Sequence, residues 1–230
     1  WDFAEVEKGE IENSFSEYID ALGLKLFKNG RVIEQFTQAR WAEDSLDEDI
    51  QKLFSQEATE VFGLSGALPL LRRSALEQIA FEDGSFFDEQ YHSYKEDVDV
   101  AFRLKLQNYQ TAIVLQSVAY HDRSAAGPQS LTDTAAKKNK ELQSEWVKYH
   151  SYKNHLFTLY KNLSFSTYLR FFPRIEWYEF KKFVYFLLFD RAVLKGLKEM
   201  SKLRKDMKKK RIFIQEKRSV PAADMRRWFH

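Results

Sequence analysis

Between residues 131 and 207 the chain carries long helical periodicities and no convincing strand, whereas residues 22–120 alternate short β patterns with helix starts. This change of period after Gly127-Pro128 predicts an α/β part, residues 1–127, followed by a mainly α-helical region, residues 128–230. With 230 residues, 44% hydrophobic and 30% charged, the chain can bury a sizeable core as one large domain or as a domain with an appendage. Cysteine is absent, which removes disulfide frameworks and thiolate metal sites and fits a reducing compartment. Trp1 is followed by neither a basic leader nor an apolar signal segment, so neither a secretory signal nor a natural start is visible.

A net charge of +2 hides a segregation: residues 1–100 hold 9 Lys/Arg and 23 Asp/Glu, residues 101–230 hold 27 and 11. The halves therefore carry −14 and +16. A basic half of this kind faces an anionic partner, a membrane surface or a nucleic acid, unless the two halves neutralise each other.

Local signals place the elements. Asn29-Gly30 between two alternating runs predicts a β-hairpin over 22–34. Residues 1–20 read as loop or edge, and the acidic stretch 40–57 as surface loop with some helix. Val61–Arg73 reads as a buried strand, and Thr111–Tyr120 as one long strand or a pair. Ser74–Glu77 and Ser93–Glu96 both have capping-box spacing, which opens a helix at each. The second helix would turn Val98, Ala101, Phe102 and Leu106 to the core, with Asp99 and Arg103 as a modest ion pair on its other side. Val193, Leu197, Met200, Leu203 and Met207 form an apolar stripe among many lysines and arginines, the pattern of an interfacial amphipathic helix. The apolar run Phe183–Phe189 is too short to span a bilayer, which takes about 20 residues.

The acids Glu96, Asp97 and Asp99 fall at a helix start, where exposed N–H groups and the helix dipole favour a carboxylate. Glu96 has a local role in the capping box and Asp99 one with Arg103, while Asp97 has none. An ionised Asp can act as general base toward a hydroxyl. His121 ends a strand-like run before a stretch of small residues, and a neutral imidazole is a common ligand of divalent metals, although a lone His is more often structural. The other histidines lack ligand spacing, and Asp47-Glu48-Asp49 reads as solvated loop. A phosphate loop, a dinucleotide fingerprint, a serine elbow and a cysteine nucleophile are all missing.

Five strings taken in order resemble the inverting GT-A glycosyltransferases of the bacterial rhamnosyltransferase-like kind. They are Tyr18–Gly23 with the hairpin after it, Gly63–Leu76, Phe86-Phe-Asp-Glu89, Tyr94–Arg103 and Val118-Ala-Tyr-His121. The resemblance covers about residues 18–125; the basic tail near Lys209–Arg218 and Arg226–Phe229 adds a weaker likeness. It implies the C-terminal part of a Rossmann-like GT-A domain with a mixed sheet. Asp97 then matches the catalytic base, and His121 a ligand of the divalent cation, Mg2+ or Mn2+, that offsets charge on the leaving diphosphate. Ser65, Gly66 and Ala67 match the floor of the site, and Glu96 contacts substrate beside Asp97.

The family's first half, with its nucleotide-binding units and Asp-x-Asp motif, is not among these 230 residues, so the chain by itself is expected to turn over little or nothing. The expected partners are a nucleotide-sugar donor, a saccharide or lipid-linked saccharide acceptor, and the anionic cytoplasmic face of the cell membrane. A non-catalytic binding module on the same scaffold is the competing class. Nucleic-acid binding through residues 195–218, with 11 Lys/Arg and 3 Asp/Glu, is a third and is disfavoured because aromatic residues on the apolar stripe suit lipid.

Overall fold

A computed structural model of the chain describes residues 17–41, 48–54, 57–121, 138 and 141–230. The predicted hairpin is present: β1 (Leu24–Leu26) pairs antiparallel with β2 (Val32–Glu34), Lys25 opposite Ile33. Its turn is a three-residue loop, in which Gly30 N donates to Phe27 O at 2.8 Å and Gly30 takes the left-handed φ of 77°. A Cβ on Gly30 would also lie 2.9 Å from Leu159, so this glycine admits the helical region against the hairpin.

A short helix α1 (Glu48–Phe54) buries Ile50 and precedes β3 (Ala58–Glu60), which pairs antiparallel with β4 (Ala112–Val114). The fold is thus α/β, but the expected mixed sheet is corrected to two small antiparallel sheets among the described residues. Among the described residues parallel pairing is limited to one bridge, Leu26 with Phe229, and an antiparallel bridge joins Leu24 to Gly63. Strands of three residues leave too little ladder for a wider sheet.

Two strand expectations also shorten. Val61, Phe62 and Gly63 are buried, but the chain then turns outward at Gly66 and leaves Leu68 and Leu70 exposed. Pro69, which has no N–H for a ladder, lies in this loop. The strand expected over 111–120 is ordered as β only at 112–114. Gly63 is fixed by close approach, since a Cβ there would sit 2.3 Å from that of Ala101. Gly63→Ala is therefore expected to cost about 1–3 kcal/mol of stability through overpacking, measured by urea unfolding.

Helices α2 (Arg73–Ile79) and α3 (Glu96–Leu106) form where the sequence predicts helix starts, but neither uses its capping box. Arg72 and Lys95 occupy the N-cap positions without side-chain caps. Glu77 instead meets Arg73 at 2.8 Å. Before α3 the backbone enters through left-handed residues, which removes Ser93 from capping geometry. Val98, Ala101, Phe102 and Leu106 face the main core as predicted, while Val100 and Leu104 pack with Ala75 and Ile79 on a second one.

The C-terminal part is helical: α4 (Glu145–Asn162), α5 (Phe165–Phe189), α6 (Lys195–Lys202), α7 (Arg204–Lys217) and the short α8 (Ala222–Met225). Ser144 and Ser164 cap α4 and α5, their Oγ atoms accepting from Val147 N and Thr167 N. The expected division at 127/128 falls outside the described residues. The largest core draws on both sides of it, joining Leu26 and Phe102 to Leu159, Phe171 and Ile214.

The stripe from Val193 to Met207 is not an interfacial face. Val193 and Met207 are fully buried, and Leu197, Met200 and Leu203 pack beside them against Tyr152, Phe157 and Phe186. The period was legible, but α4 and α5 supply a protein surface that covers the stripe. Charge segregation likewise works inward in part. Lys161 reaches Asp88 at 2.5 Å and Asp99 at 3.0 Å, Lys210 reaches Asp88 at 2.8 Å, and Lys209 reaches Glu82 at 2.7 Å.

Candidate functional site

The start of α3 gathers most of the residues expected to line the site. Asp97 Oδ2 accepts from Gly66 N at 3.2 Å and Oδ1 from Val98 N at 2.7 Å. Ser65, beside Gly66, donates from Oγ to Glu34 Oε1 at 3.0 Å, which brings the end of β2 to the same place. A Cβ on Gly66 would come within 4.0 Å of both Asp97 and Glu96, so the missing side chain keeps the approach to these carboxylates open. Ala67 follows in the same exposed turn.

The electrostatics of the three charged groups are coupled. Burial raises the Asp97 carboxyl above the ordinary carboxylate range, against the opposing pull of the Lys95 charge and the N–H groups of Val98 and Gly66. Burial lowers the Lys95 ammonium, which Asp97 and Glu34 help to keep charged, and its Nζ donates to Val32 O at 3.3 Å. Burial also raises Glu96, whose Oε2 is buried with no hydrogen-bond partner among the described residues.

The segment leading into Asp97 is strained. His92, Tyr94 and Lys95 all have positive φ, 58°, 68° and 69°, a conformation that non-glycine residues adopt at a cost of about 1–3 kcal/mol each. Asn154 of α4 holds it: its Nδ2 lies 2.9 Å from Tyr91 O, 2.8 Å from Ser93 O and 2.8 Å from Tyr94 O. Asn154 is fully buried and no sequence pattern singled it out. Asn154→Leu is expected to free this segment at a cost of about 2–3 kcal/mol of stability, checked by a thermal melt.

Asp99 and Arg103 depart from the expected surface pair. They meet at 3.0 Å but are almost wholly buried, and Arg103 also donates to Ile79 O at 2.7 Å and Phe86 O at 2.5 Å. Asn162 Nδ2 donates to Asp99 Oδ1 at 2.8 Å. Asp99 thus belongs to the scaffold and Asp97 to the site.

His121 is exposed, and its Nδ1 lies 2.9 Å from Asp20 Oδ2. A carboxylate only accepts, so in the neutral ring Nδ1 holds the proton and Nε2 carries the lone pair. This is the way metal-ligating histidines are oriented by an outer carboxylate, and it fits the expected ligand role. Asp20, which lies in the Tyr18–Gly23 string, is the positioning residue that spacing did not reveal. No group of three or more His, Asp or Glu side chains placed for a metal occurs among the described residues, and Asp47 lies outside them.

Comparison with protein-family models, with characterised proteins and with solved structures returns no match. The functional reading rests on the motifs and on this geometry.

Proposed function

We propose that the chain is the acceptor-side and C-terminal part of an inverting GT-A-type glycosyltransferase. It would move a sugar from a nucleotide-diphosphate donor to a hydroxyl of a saccharide or lipid-linked saccharide in cell-surface polysaccharide synthesis. The observation that carries the reading is the meeting of Gly66 with Asp97 across 31 residues of sequence, with Glu96 beside them and Ser65 tied to Glu34. Asp97 is the base: it takes the proton of the acceptor hydroxyl as that oxygen forms its bond to sugar C1. The bond from C1 to the diphosphate breaks on the opposite face, so the configuration inverts.

A carboxylate raised by burial has greater proton affinity than a solvated one, which suits proton abstraction as long as it is ionised. Glu96 Oε2 accepts from a second sugar hydroxyl, and Gly66 N keeps Asp97 Oδ2 aimed at the entering group. His121 Nε2, steadied by Asp20, is the proposed ligand of a divalent cation, which when bound supplies charge to stabilise the diphosphate.

The test is transfer from nucleotide sugars to saccharide acceptors by the full-length protein as a function of pH. Because Asp97 must be ionised, the rate is expected to fall on acidification. The limb should lie above about 3.9, the ordinary Asp value, since burial raises this carboxyl. A rate limb that survives unchanged in Asp97→Asn would assign it to another group.

A further inference from the structure

The helix α5 has two apolar faces, and only one is used. Phe171, Ile175 and Phe186 point into the protein. On a neighbouring face Phe165, Leu169, Phe172, Phe180, Phe183 and Leu187 are all exposed, in steps of three and four residues with Glu176 as the one interruption. Trp177 is 61% and Phe180 57% exposed, and their rings stack with centroids 5.9 Å apart. Along a helix rising about 1.5 Å per residue this row runs for about 33 Å, a longer uncovered apolar strip than single surface hydrophobics would make.

Charge is arranged along one edge of the strip. Arg170, Arg174 and Lys181 continue the row that contains Trp177, and neither arginine has an ion pair with a described carboxylate. Glu176, the acid on the strip, is occupied by the Tyr168 hydroxyl at 2.7 Å. The face is therefore apolar and aromatic with a cationic edge.

We infer that the outward face of α5 docks on the interfacial region of an anionic lipid bilayer, the helix lying in the membrane plane. Trp and Phe rings suit the boundary between headgroups and acyl chains, and the cationic edge suits anionic headgroups. A second copy of the chain is a poorer occupant, since pairing two such faces would gather the arginines of both copies into one interface. Crossing the bilayer is not an option either: no helix of the described residues is long and apolar enough. The site differs from the basic stretch 195–218, whose apolar stripe is spent inside the protein, and the inference stands apart from the transfer reaction proposed above.

Glu179 and Lys182 on the inner side of α5 form an ion pair at 3.3 Å; both charges act on His155, and that of Lys182 acts also on Lys95 next to Asp97. One helix thus separates the candidate site from the docking face, which would hold that site close to the membrane surface.

The experiment is co-sedimentation of the full chain with vesicles of phosphatidylcholine alone and of phosphatidylcholine mixed with phosphatidylglycerol. Preferential binding to the anionic vesicles is expected. The double change Phe180→Ser and Leu187→Ser should weaken it at least about tenfold, because two exposed apolar side chains no longer enter the interface. Neutralising Arg170 and Arg174 to Gln should weaken it about fivefold per cation at low salt. All four positions are exposed, so an unchanged melting temperature should accompany both losses. Binding that ignores both sets of changes, or that is lost instead on neutralising Lys205 and Lys208 of α7, would overturn the assignment. So would a concentration-dependent dimer in solution that the Phe180 and Leu187 changes abolish, since the strip would then be covered by a second copy.

Discussion

Asp97→Asn in the full-length protein is expected to reduce sugar transfer by about 10²–10⁴-fold, the usual contribution of a positioned general base. By transition-state arithmetic that is about 3–5 kcal/mol. The melting temperature should fall less than turnover does: the Asn amide oxygen can accept from Gly66 N or Val98 N but not from both, and buried Lys95 loses one of the charges that support it. A conservative neighbour supplies the contrast: Glu96→Gln should weaken acceptor binding more than turnover, since Glu96 is assigned to a hydroxyl and not to the reacting proton. Transfer by Asp97→Asn within about twofold of the unmodified rate would remove Asp97 from the chemistry and favour a non-catalytic binding module on this scaffold.

Lys161→Met should produce the largest loss of stability of any single change considered. Lys161 is fully buried and bonds Asp88 and Asp99, both almost fully buried. Removing the cation leaves two acids without their shared partner, a loss that typically costs about 3–5 kcal/mol. Urea unfolding should show the midpoint fall with the slope unchanged. Adding Asp99→Asn to Lys161→Met should recover part of the loss. A double change no better than the single one would show that Lys161 acts through packing instead.

The same network predicts acid sensitivity. The charges of Lys161 and Arg103 outweigh burial and hold the Asp99 carboxyl at about 2, below its unfolded value. A group whose folded value is depressed stabilises the protein fully above the unfolded value, and that contribution disappears as the pH falls through the folded one. Stability is therefore expected to drop between about pH 4, near the ordinary Asp value, and the Asp99 value of about 2. Glu179, held at about 2 by Lys182 and His155 against burial, should add to the drop over the same range. Unfolding monitored by circular dichroism across this window should show the decline, and Asp99→Asn should flatten it.

Much of the backbone was readable in advance where a local rule was sufficient. The hairpin followed from alternation around Asn29-Gly30, and the inward row of α3 from residues three and four apart. The failures share one cause. Capping boxes at Ser74 and Ser93 have the right spacing, but the approach to α3 is set by Asn154, 61 residues from Ser93, through carbonyls that no pattern marks. Asp99–Arg103 has the spacing of a surface pair and became a buried one only because α4 brings Lys161 and Asn162 beside it.

Sequence alone determined where period-2 and period-3.6 segments lie, that α/β precedes helix, and that Asp97 stands at a helix start outside the pairing of Asp99 with Arg103. Tertiary structure decided environment. It placed Glu34 and Lys95 around Asp97 and gave His121 its partner Asp20. It also turned the Val193–Met207 stripe inward while leaving the aromatic row of α5 uncovered. A periodic apolar face specifies only that something must cover it, since transfer from water depends on area and not on the identity of the neighbour. Which neighbour arrives, and whether a charge ends in solvent or beside a counter-charge, depends on contacts between residues far apart in the chain.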